Sequence, residues 1–180
     1  MRQFVFLTFF LFPVAFPFSA AAQMSVTTIG ATDAADCYKN AQNDFENDTG
    51  PCDAALKDRN TTRRDRMKTH VNRGIIHNRN GDLAAARADF DAAIEMDGAL
   101  AEAYLNRGNT HFHGARYDEA LADYEHSLTL GVQKPWAAWY NIGLVYDAKK
   151  DVEKAREAYE KALELNPNFT LARQKLEGRN

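Results

Sequence analysis

The chain has 180 residues, with 22 Lys and Arg side chains against 25 Asp and Glu side chains, which gives a formal net charge of -3. This balance, together with the lack of a basic stripe interleaved with aromatic residues, argues against nucleic acid as a partner. The length allows one compact domain with a sizeable core.

The N-terminus predicts export. Residues 4–18 are almost wholly apolar, follow Arg2 and precede a stretch of small residues. We therefore predict a signal peptide over residues 1–22 that is cleaved after Ala22. An uncut anchor would need about 20 apolar residues, and two prolines interrupt a run that is already short. No stable membrane insertion is expected after cleavage.

A leader and a helical lead-in follow the predicted signal. Residues 23–35 are small and polar without periodicity, which indicates a flexible leader. Residues 36–66 are predicted to form a helical lead-in that holds the two cysteines, Cys37 and Cys52. In an oxidising compartment such a pair usually forms one disulfide, which would stabilise the fold by about 3 kcal/mol. The alternative is a pair of buried thiols.

The predicted disulfide constrains the lead-in. A full helix from Cys37 onward, packed antiparallel on the next helix, would place Cys52 at the opposite end, beyond the reach of a disulfide. We therefore predict a short first helix, with residues 43–50 running back beside it.

The main part of the chain contains an internal repeat. Gly74, Gly108 and Gly143 are 34 and 35 residues apart, and the same residue types recur at fixed distances after them. An alanine and then an aromatic residue follow each glycine: Ala86 and Phe90, Ala120 and Tyr124, Ala155 and Tyr159. This period predicts hairpins of two helices that bury their apolar faces only by stacking on one another.

The repeat resembles the tetratricopeptide repeat, whose pattern is W-x2-L-G-x2-Y, then A-x3-F and a late Pro. The third unit fills these columns with Trp139, Ile142, Gly143, Tyr146, Ala155, Tyr159, Ala162 and Pro167. The first two units depart from the pattern, with Arg73 and Arg107 in the Leu column and His77 and His111 in the Tyr column.

The resemblance implies an all-α fold, a right-handed superhelical stack of three helix-turn-helix hairpins. The predicted units are residues 67–100, 101–135 and 136–169, closed by a capping helix within residues 170–180. Such a scaffold binds peptides or proteins and implies no chemistry.

By the same resemblance, the first helices of the hairpins line a concave ligand groove. Fourteen side chains are predicted to face it: Val71, Asn72, Ile75, Asn78, Arg79, Leu105, Asn106, Asn109, Phe112, His113, Tyr140, Asn141, Leu144 and Asp147. Ala148 lies in the same columns. The asparagines that precede the glycines by two residues would contact a peptide backbone. Alternatively, they serve the close helix crossing, and both interpretations stay open. Docking of a C-terminal carboxylate is not expected, because Val71, Tyr140 and Leu144 occupy the columns that would hold the basic residues.

No residue pattern supports catalysis. The five histidines lack metal-site spacing, and His77 and His111 are predicted to pack within the repeats, so neither a metal nor a cofactor is expected. We predict a non-enzymatic adaptor that binds a protein or an extended peptide in the bacterial cell envelope, with the periplasm as the expected location. The main alternative is a structural protein that self-assembles through its repeat ends into a homo-oligomer. A metal-dependent enzyme that uses the histidines is a distant alternative.

Overall fold

The computed structural model describes residues 32–178, and the regular secondary structure of this part of the chain is all α-helical, without a β-strand. Its helices are α1 (Thr32–Gln42), α2 (Gly50–Lys57), α3 (Arg63–Arg79), α4 (Leu83–Met96), α5 (Ala101–His113), α6 (Tyr117–Thr129), α7 (Pro135–Ala148), α8 (Val152–Leu165) and α9 (Thr170–Glu177). The predicted signal peptide and residues 23–31 of the predicted leader lie outside the described residues.

The helices pair as hairpins and stack in chain order. The α3/α4, α5/α6 and α7/α8 pairs form the three repeats, and the second helix of each pair also packs against the first helix of the next. α1 and α2 pack on α3 at one end, and α9 covers α8 at the other. The predicted all-α superhelical stack of three hairpins is confirmed. Within residues 32–178, no helix has both the length and the hydropathy required to cross a bilayer.

The lead-in is a short pair of helices held by a disulfide. Cys37 of α1 and Cys52 of α2 are bonded, with their α-carbons 4.7 Å apart. α1 ends at Gln42, and the loop returns beside it, with the Asn40 side-chain amide donating to the carbonyl of Asp48 over 3.1 Å. α1 begins at Thr32, so the last four residues of the predicted leader are helical. The reason is packing, because Ala34 is fully buried.

Local sequence signals set the ends of several helices. Thr62, Asp82 and Asp151 cap α3, α4 and α8, each accepting a hydrogen bond from a backbone N–H in the first turn. Such caps satisfy amide groups that have no partner within the helix. α3 begins at Arg63, four residues before the predicted start of the first repeat. This helix is therefore longer than its counterparts α5 and α7.

The turn inside each hairpin contains one residue in the left-handed region. These residues are Gly81, Ala115 and Lys150, with φ of 80°, 55° and 62°, each seven residues after its repeat glycine. Glycine adopts this conformation readily, whereas alanine and lysine adopt it at a cost. The second and third turns are therefore strained where the first is not.

α9 closes the C-terminal end of the stack. Its Ala172 is buried, and Leu171 and Leu176 pack against the core of the third repeat. The ring of Phe169, just before α9, contacts the ring of Tyr140 with centroids 5.2 Å apart. This cap covers part of the surface that the third repeat would otherwise expose.

Candidate functional site

The repeat glycines determine how closely the two helices of each hairpin approach. A β-carbon built on Gly74 would lie 2.7 Å from the Phe90 ring, and one on Gly108 would lie 2.6 Å from the Tyr124 ring. Real β-carbons essentially never come so close, so these positions require glycine. The crossing fixes the orientation of the first helices, whose residues were predicted to line the groove.

In the first repeat, the lead-in buries the predicted groove columns. Val71 and Ile75 lie in one apolar cluster with Cys37 and Cys52. Two further predicted groove residues of this helix, Asn72 and Asn78, are also buried. A ligand therefore has no access to these four predicted side chains in the described conformation.

Arg79, the fifth predicted groove residue of α3, binds the end of α1. Its guanidinium donates to the carbonyls of Asn40 at 3.2 Å, Ala41 at 2.8 Å, Asn43 at 2.8 Å and Glu46 at 2.6 Å. Carbonyls at a helix C-terminus have no partner within the helix and carry a partial negative charge. Burial lowers the pKa of the Arg79 guanidinium. Arg79 thus contributes to anchoring the lead-in, a contact that the sequence prediction missed.

In the second and third repeats, five more predicted side chains lie between helices. These are Leu105, Asn106, Asn109, Tyr140 and Asn141, all of them buried. The expectation that the predicted residues are open to a ligand is thus corrected for nine of them in all. Leu105 packs in the core beneath α6 and α7, and Tyr140 packs against the C-terminal cap.

Asn109 joins two repeats by hydrogen bonds. Its Oδ1 accepts from the hydroxyl of Tyr124 at 2.9 Å and from the side-chain amide of Asn141 at 2.8 Å. Within the described residues, the Nδ2 of Asn109 and the Oδ1 of Asn141 have no hydrogen-bond partner. The asparagine columns therefore serve helix packing, which favours the second of the two interpretations left open by the sequence. A partly paired buried network is less stable than a fully paired one.

Four of the predicted residues remain accessible in part. Phe112 and His113 lie at the C-terminal end of α5, and Leu144 and Asp147 lie in the second half of α7, a helix that contacts α5. Ala148, at the end of α7, is exposed. We call these five residues the open strip. It combines an aromatic ring, an aliphatic side chain, an imidazole and a carboxylate.

Neighbouring side chains contact Phe112 and Asp147 of the open strip. The Phe112 ring contacts the Tyr117 ring with centroids 5.9 Å apart. Tyr159 donates its hydroxyl to the Asp147 carboxylate over 2.6 Å, and the Lys175 ammonium lies 3.8 Å from the same carboxylate. Burial lowers the pKa of His113. Phe112 and Asp147 are therefore each positioned by at least one neighbouring side chain.

A shallow depression lies beside the open strip. It has a volume of about 410 Å³ and is lined by Asp147, Val152, Gln174, Lys175 and Gly178. The depression joins the end of α7 to α9, so a ligand that follows the strip would reach the C-terminal cap.

Sequence reasoning missed the function of the two arginines that depart from the family pattern. Arg107 forms a bidentate pair with Asp123 of its own hairpin, at 2.7 and 2.9 Å, and contacts Asp91 of the preceding hairpin at 2.7 Å. These hydrogen bonds, the one to Asp123 foremost, raise the pKa of Arg107. The signal was present in the sequence. An aspartate follows the arginine after 16 residues, whereas the third repeat has Ile142 followed by Ala158.

The first repeat contains the equivalent network. Arg73 forms the bidentate pair with Asp89 at 2.7 and 2.9 Å and contacts Asp53 of the lead-in at 2.6 Å. His70 adds a hydrogen bond to Asp89 at 2.8 Å. Burial opposes ionisation of Asp89, but the hydrogen bonds from His70 and Arg73 prevail and lower its pKa. Arg107 thus joins the second hairpin to the first, and Arg73 joins the first hairpin to the lead-in.

The histidines of the Tyr column belong to the same networks. The Nε2 atoms of His77 and His111 lie 3.8 and 3.6 Å from the carboxylates of Asp89 and Asp123, respectively. Burial lowers the pKa of His111. Among residues 32–178, no three His, Cys, Asp or Glu side chains are grouped in a way that could hold a metal ion.

Family models identify the repeats. Residues 71–135 and residues 136–169 each match a model described as a tetratricopeptide repeat, and together the matches span more than half of the chain. The chain belongs to the tetratricopeptide-repeat family, whose members are typically non-enzymatic scaffolds for protein interaction.

Individual relatives agree with this assignment. NADPH oxidase activator 1 of Rattus norvegicus is 34% identical over 76 residues, which is 42% of this chain and 17% of that protein. The chain spans less than one fifth of the length of the curated relatives it matches. The crystal structure of MamA is 25% identical, with a TM-score of 0.63 over 80% of each chain. YrrB, a tetratricopeptide-repeat protein with an unusual peptide-binding site, is 25% identical, with a TM-score of 0.59 over 70% of this chain and 62% of its own.

Proposed function

We propose that the chain is a non-enzymatic adaptor of the bacterial cell envelope that binds an extended segment of a partner protein along the open strip. The observation that carries this proposal is the strip itself, the accessible part of the predicted groove columns. It presents Phe112 and Leu144 as apolar contacts, with Asp147 at one end as an acceptor. Apolar anchors with a few placed polar groups are typical of peptide-binding surfaces.

The family and its solved members support a peptide ligand. YrrB is described as having an unusual peptide-binding site, and it has the same fold at 25% identity. The burial of Asn72, Asn106 and Asn141 removes the backbone contacts expected from the sequence. The proposed ligand therefore binds through side-chain contacts with the strip rather than through an asparagine ladder.

Site-specific photocrosslinking tests the proposal. A photoreactive residue in place of Ala148, at the exposed end of the strip, should crosslink a partner in the native envelope fraction. The matched control places the same residue at Glu164, an exposed position on α8. A partner captured from Ala148 and absent from Glu164 supports the strip. Capture from both positions, or from Glu164 alone, overturns it.

The cellular location rests on the predicted signal peptide. If it is cleaved, intact mass of protein from its own host should correspond to a chain beginning at Gln23. Alkylation without reductant should modify neither Cys37 nor Cys52, whose bond closes the lead-in. A mass that includes residues 1–22 would contradict export by this route.

Self-assembly is the second candidate function. The observation that favours it is the exposure of two aliphatic side chains on α8, the last repeat helix: Val152 is 56% exposed and Leu165 is 49% exposed. α9 covers only part of this end. Light scattering over a range of protein concentrations tests this alternative, since association through the repeat end should be lost in the Leu165→Glu variant.

A further inference from the structure

A cluster of basic residues lies where the lead-in joins the first repeat. Residues 57–68, which we call the basic corner, contain six Lys and Arg side chains against two Asp side chains, in a chain whose net charge is -3. The cations are Lys57, Arg59, Arg63, Arg64, Arg66 and Lys68. The segment spans the end of α2, the connecting loop and the first turns of α3.

Two arginines of the basic corner bind backbone carbonyls rather than carboxylates. Arg63 donates to the backbone carbonyl of Met96, and Arg66 donates to the carbonyls of Leu56 and Asp58. These carbonyls lie at the C-terminal ends of α4 and α2 and carry only a partial negative charge, so they position the two guanidinium groups and offset their charge in part. This differs from Arg73 and Arg107, each of which is paired with two aspartates.

The two aspartates of the basic corner accept hydrogen bonds from residues close to them in the sequence. Asp58 accepts from the backbone and the side chain of Asn60, at 2.9 and 3.1 Å. Asp65 is buried and accepts from the hydroxyl of Thr62 at 2.8 Å. Among the described residues, no carboxylate lies within ion-pair distance of Arg59 or Arg64, both of which are exposed.

The arginines also lie where the fold does not favour them. Arg63, Arg64 and Arg66 are in the first turn of α3, and the N-terminus of a helix is stabilised by acidic side chains and destabilised by basic ones. Arg63 and Arg66 are offset by the carbonyls at the ends of α4 and α2, whereas Arg64 has no such acceptor among the described residues. Departures from local preference of this kind concentrate at functional sites.

We propose that the basic corner is a docking surface for an acidic segment of the partner protein. This inference rests on the proposed function, in which the partner is a protein, and it specifies that one segment of the partner is acidic. Two features favour a peptide over other polyanions. Residues 57–68 contain no aromatic side chain on which nucleotide bases would stack. The large apolar side chains that the described residues expose, Phe45, Val152 and Leu165, all lie outside the corner, which therefore lacks the apolar anchor of a membrane-binding surface.

The test uses a fluorescein-labelled decaglutamate peptide, with binding followed by fluorescence anisotropy. The Arg59→Ala/Arg64→Ala variant removes two exposed cations from the corner. The control, Arg87→Ala/Lys150→Ala, removes two exposed cations elsewhere and changes the net charge equally. We expect binding to weaken about fivefold or more in the corner variant and less than about twofold in the control. Raising the salt concentration should weaken binding further.

Several results would overturn the inference. Equal loss in both double variants would show a response to net charge alone, and equal affinity for a decalysine peptide would show no charge preference. Corner-dependent binding of anionic phospholipid vesicles or of an oligonucleotide, without binding of decaglutamate, would assign the corner to a different ligand. Decaglutamate binding at the corner alongside no crosslink from Ala148 would leave the inference standing and refute the open strip.

Discussion

Gly143 and Tyr159 approach so closely that a β-carbon on the glycine would lie 2.5 Å from the tyrosine ring. The two residues stand on opposite helices of the third hairpin, and the ring is fully buried. The spacing that first indicated a repeat therefore has a physical cause, because the helices cross where one of them has no side chain.

The Gly143→Ala variant should be destabilised by about 1–3 kcal/mol, since the new methyl group overpacks the crossing. This would occur even though alanine favours the helix more than glycine does. Urea unfolding measures the change, and Gly98→Ala, in an exposed loop with no close neighbour, is the control. An unchanged unfolding midpoint in Gly143→Ala would contradict so close a crossing of α7 and α8.

The ion pair between Arg107 and Asp123 should be replaceable by the apolar pair of the third repeat. Arg107→Ile alone should cost about 2–4 kcal/mol, because it leaves the Asp123 carboxylate buried without its main partner. The Arg107→Ile/Asp123→Ala double variant, which copies Ile142 and Ala158, should return to within about 1 kcal/mol of the parent. Chemical denaturation of the three proteins gives the comparison. A double variant no more stable than the single one would show that the two solutions are not interchangeable.

The left-handed turn residues offer a stabilising change. Ala115→Gly should raise the free energy of unfolding by about 0.5–1 kcal/mol, since it relieves a conformation that costs alanine more than the extra chain entropy of glycine. The reverse change in the first hairpin, Gly81→Ala, should lower it by a similar amount. Thermal melting of both variants tests the sign, and a lower melting temperature for Ala115→Gly would contradict the assigned turn conformation.

His111 should make the fold sensitive to mild acid. Burial lowers its pKa from the ordinary value of 6.5, so the unfolded chain binds this proton at a higher pH than the folded chain does. The contribution of neutral His111 to folding stability is therefore fully present above about pH 6.5 and is lost as the pH falls toward the pKa of His111 in the folded chain. His111→Gln should show a smaller loss of stability between about pH 7.5 and pH 5. Identical pH profiles for variant and parent would exclude His111 as the cause.

The repeat was readable from the sequence because its signals are local and recur. Gly74, Gly108 and Gly143 are each followed by an aromatic residue at a distance of 16, and the structure brings each pair into contact. The burial of the predicted groove residues could not be predicted from the sequence, because it depends on which element of the fold covers each helix. Residues 52–56 (CDAAL) copy residues 90–94 (FDAAI), which marks α2 as the second helix of a degenerate hairpin, but this likeness did not show that the lead-in would cover Val71 and Ile75.

The ion-pair networks were partly readable. Arg73 and Arg107 looked like departures from the family pattern, yet each occurs with an aspartate 16 residues later. Considering each arginine together with the aspartate 16 residues later would have predicted the ion pair between them. The anchoring of α1 by Arg79 has no such signal, because it joins a side chain to backbone carbonyls of a segment that occurs once in the chain.

Affinity measurement with the captured partner tests the open strip most directly. Leu144→Ala and His113→Ala remove side chains from two neighbouring helices of the strip, whereas Leu165→Ala removes a matched leucine from α8. Calorimetric titration of each variant, with thermal melts to verify folding, gives the comparison. We expect both strip variants to bind at least about fivefold more weakly, and Leu165→Ala to bind as the parent does. Full affinity in both folded strip variants would contradict the proposed binding site.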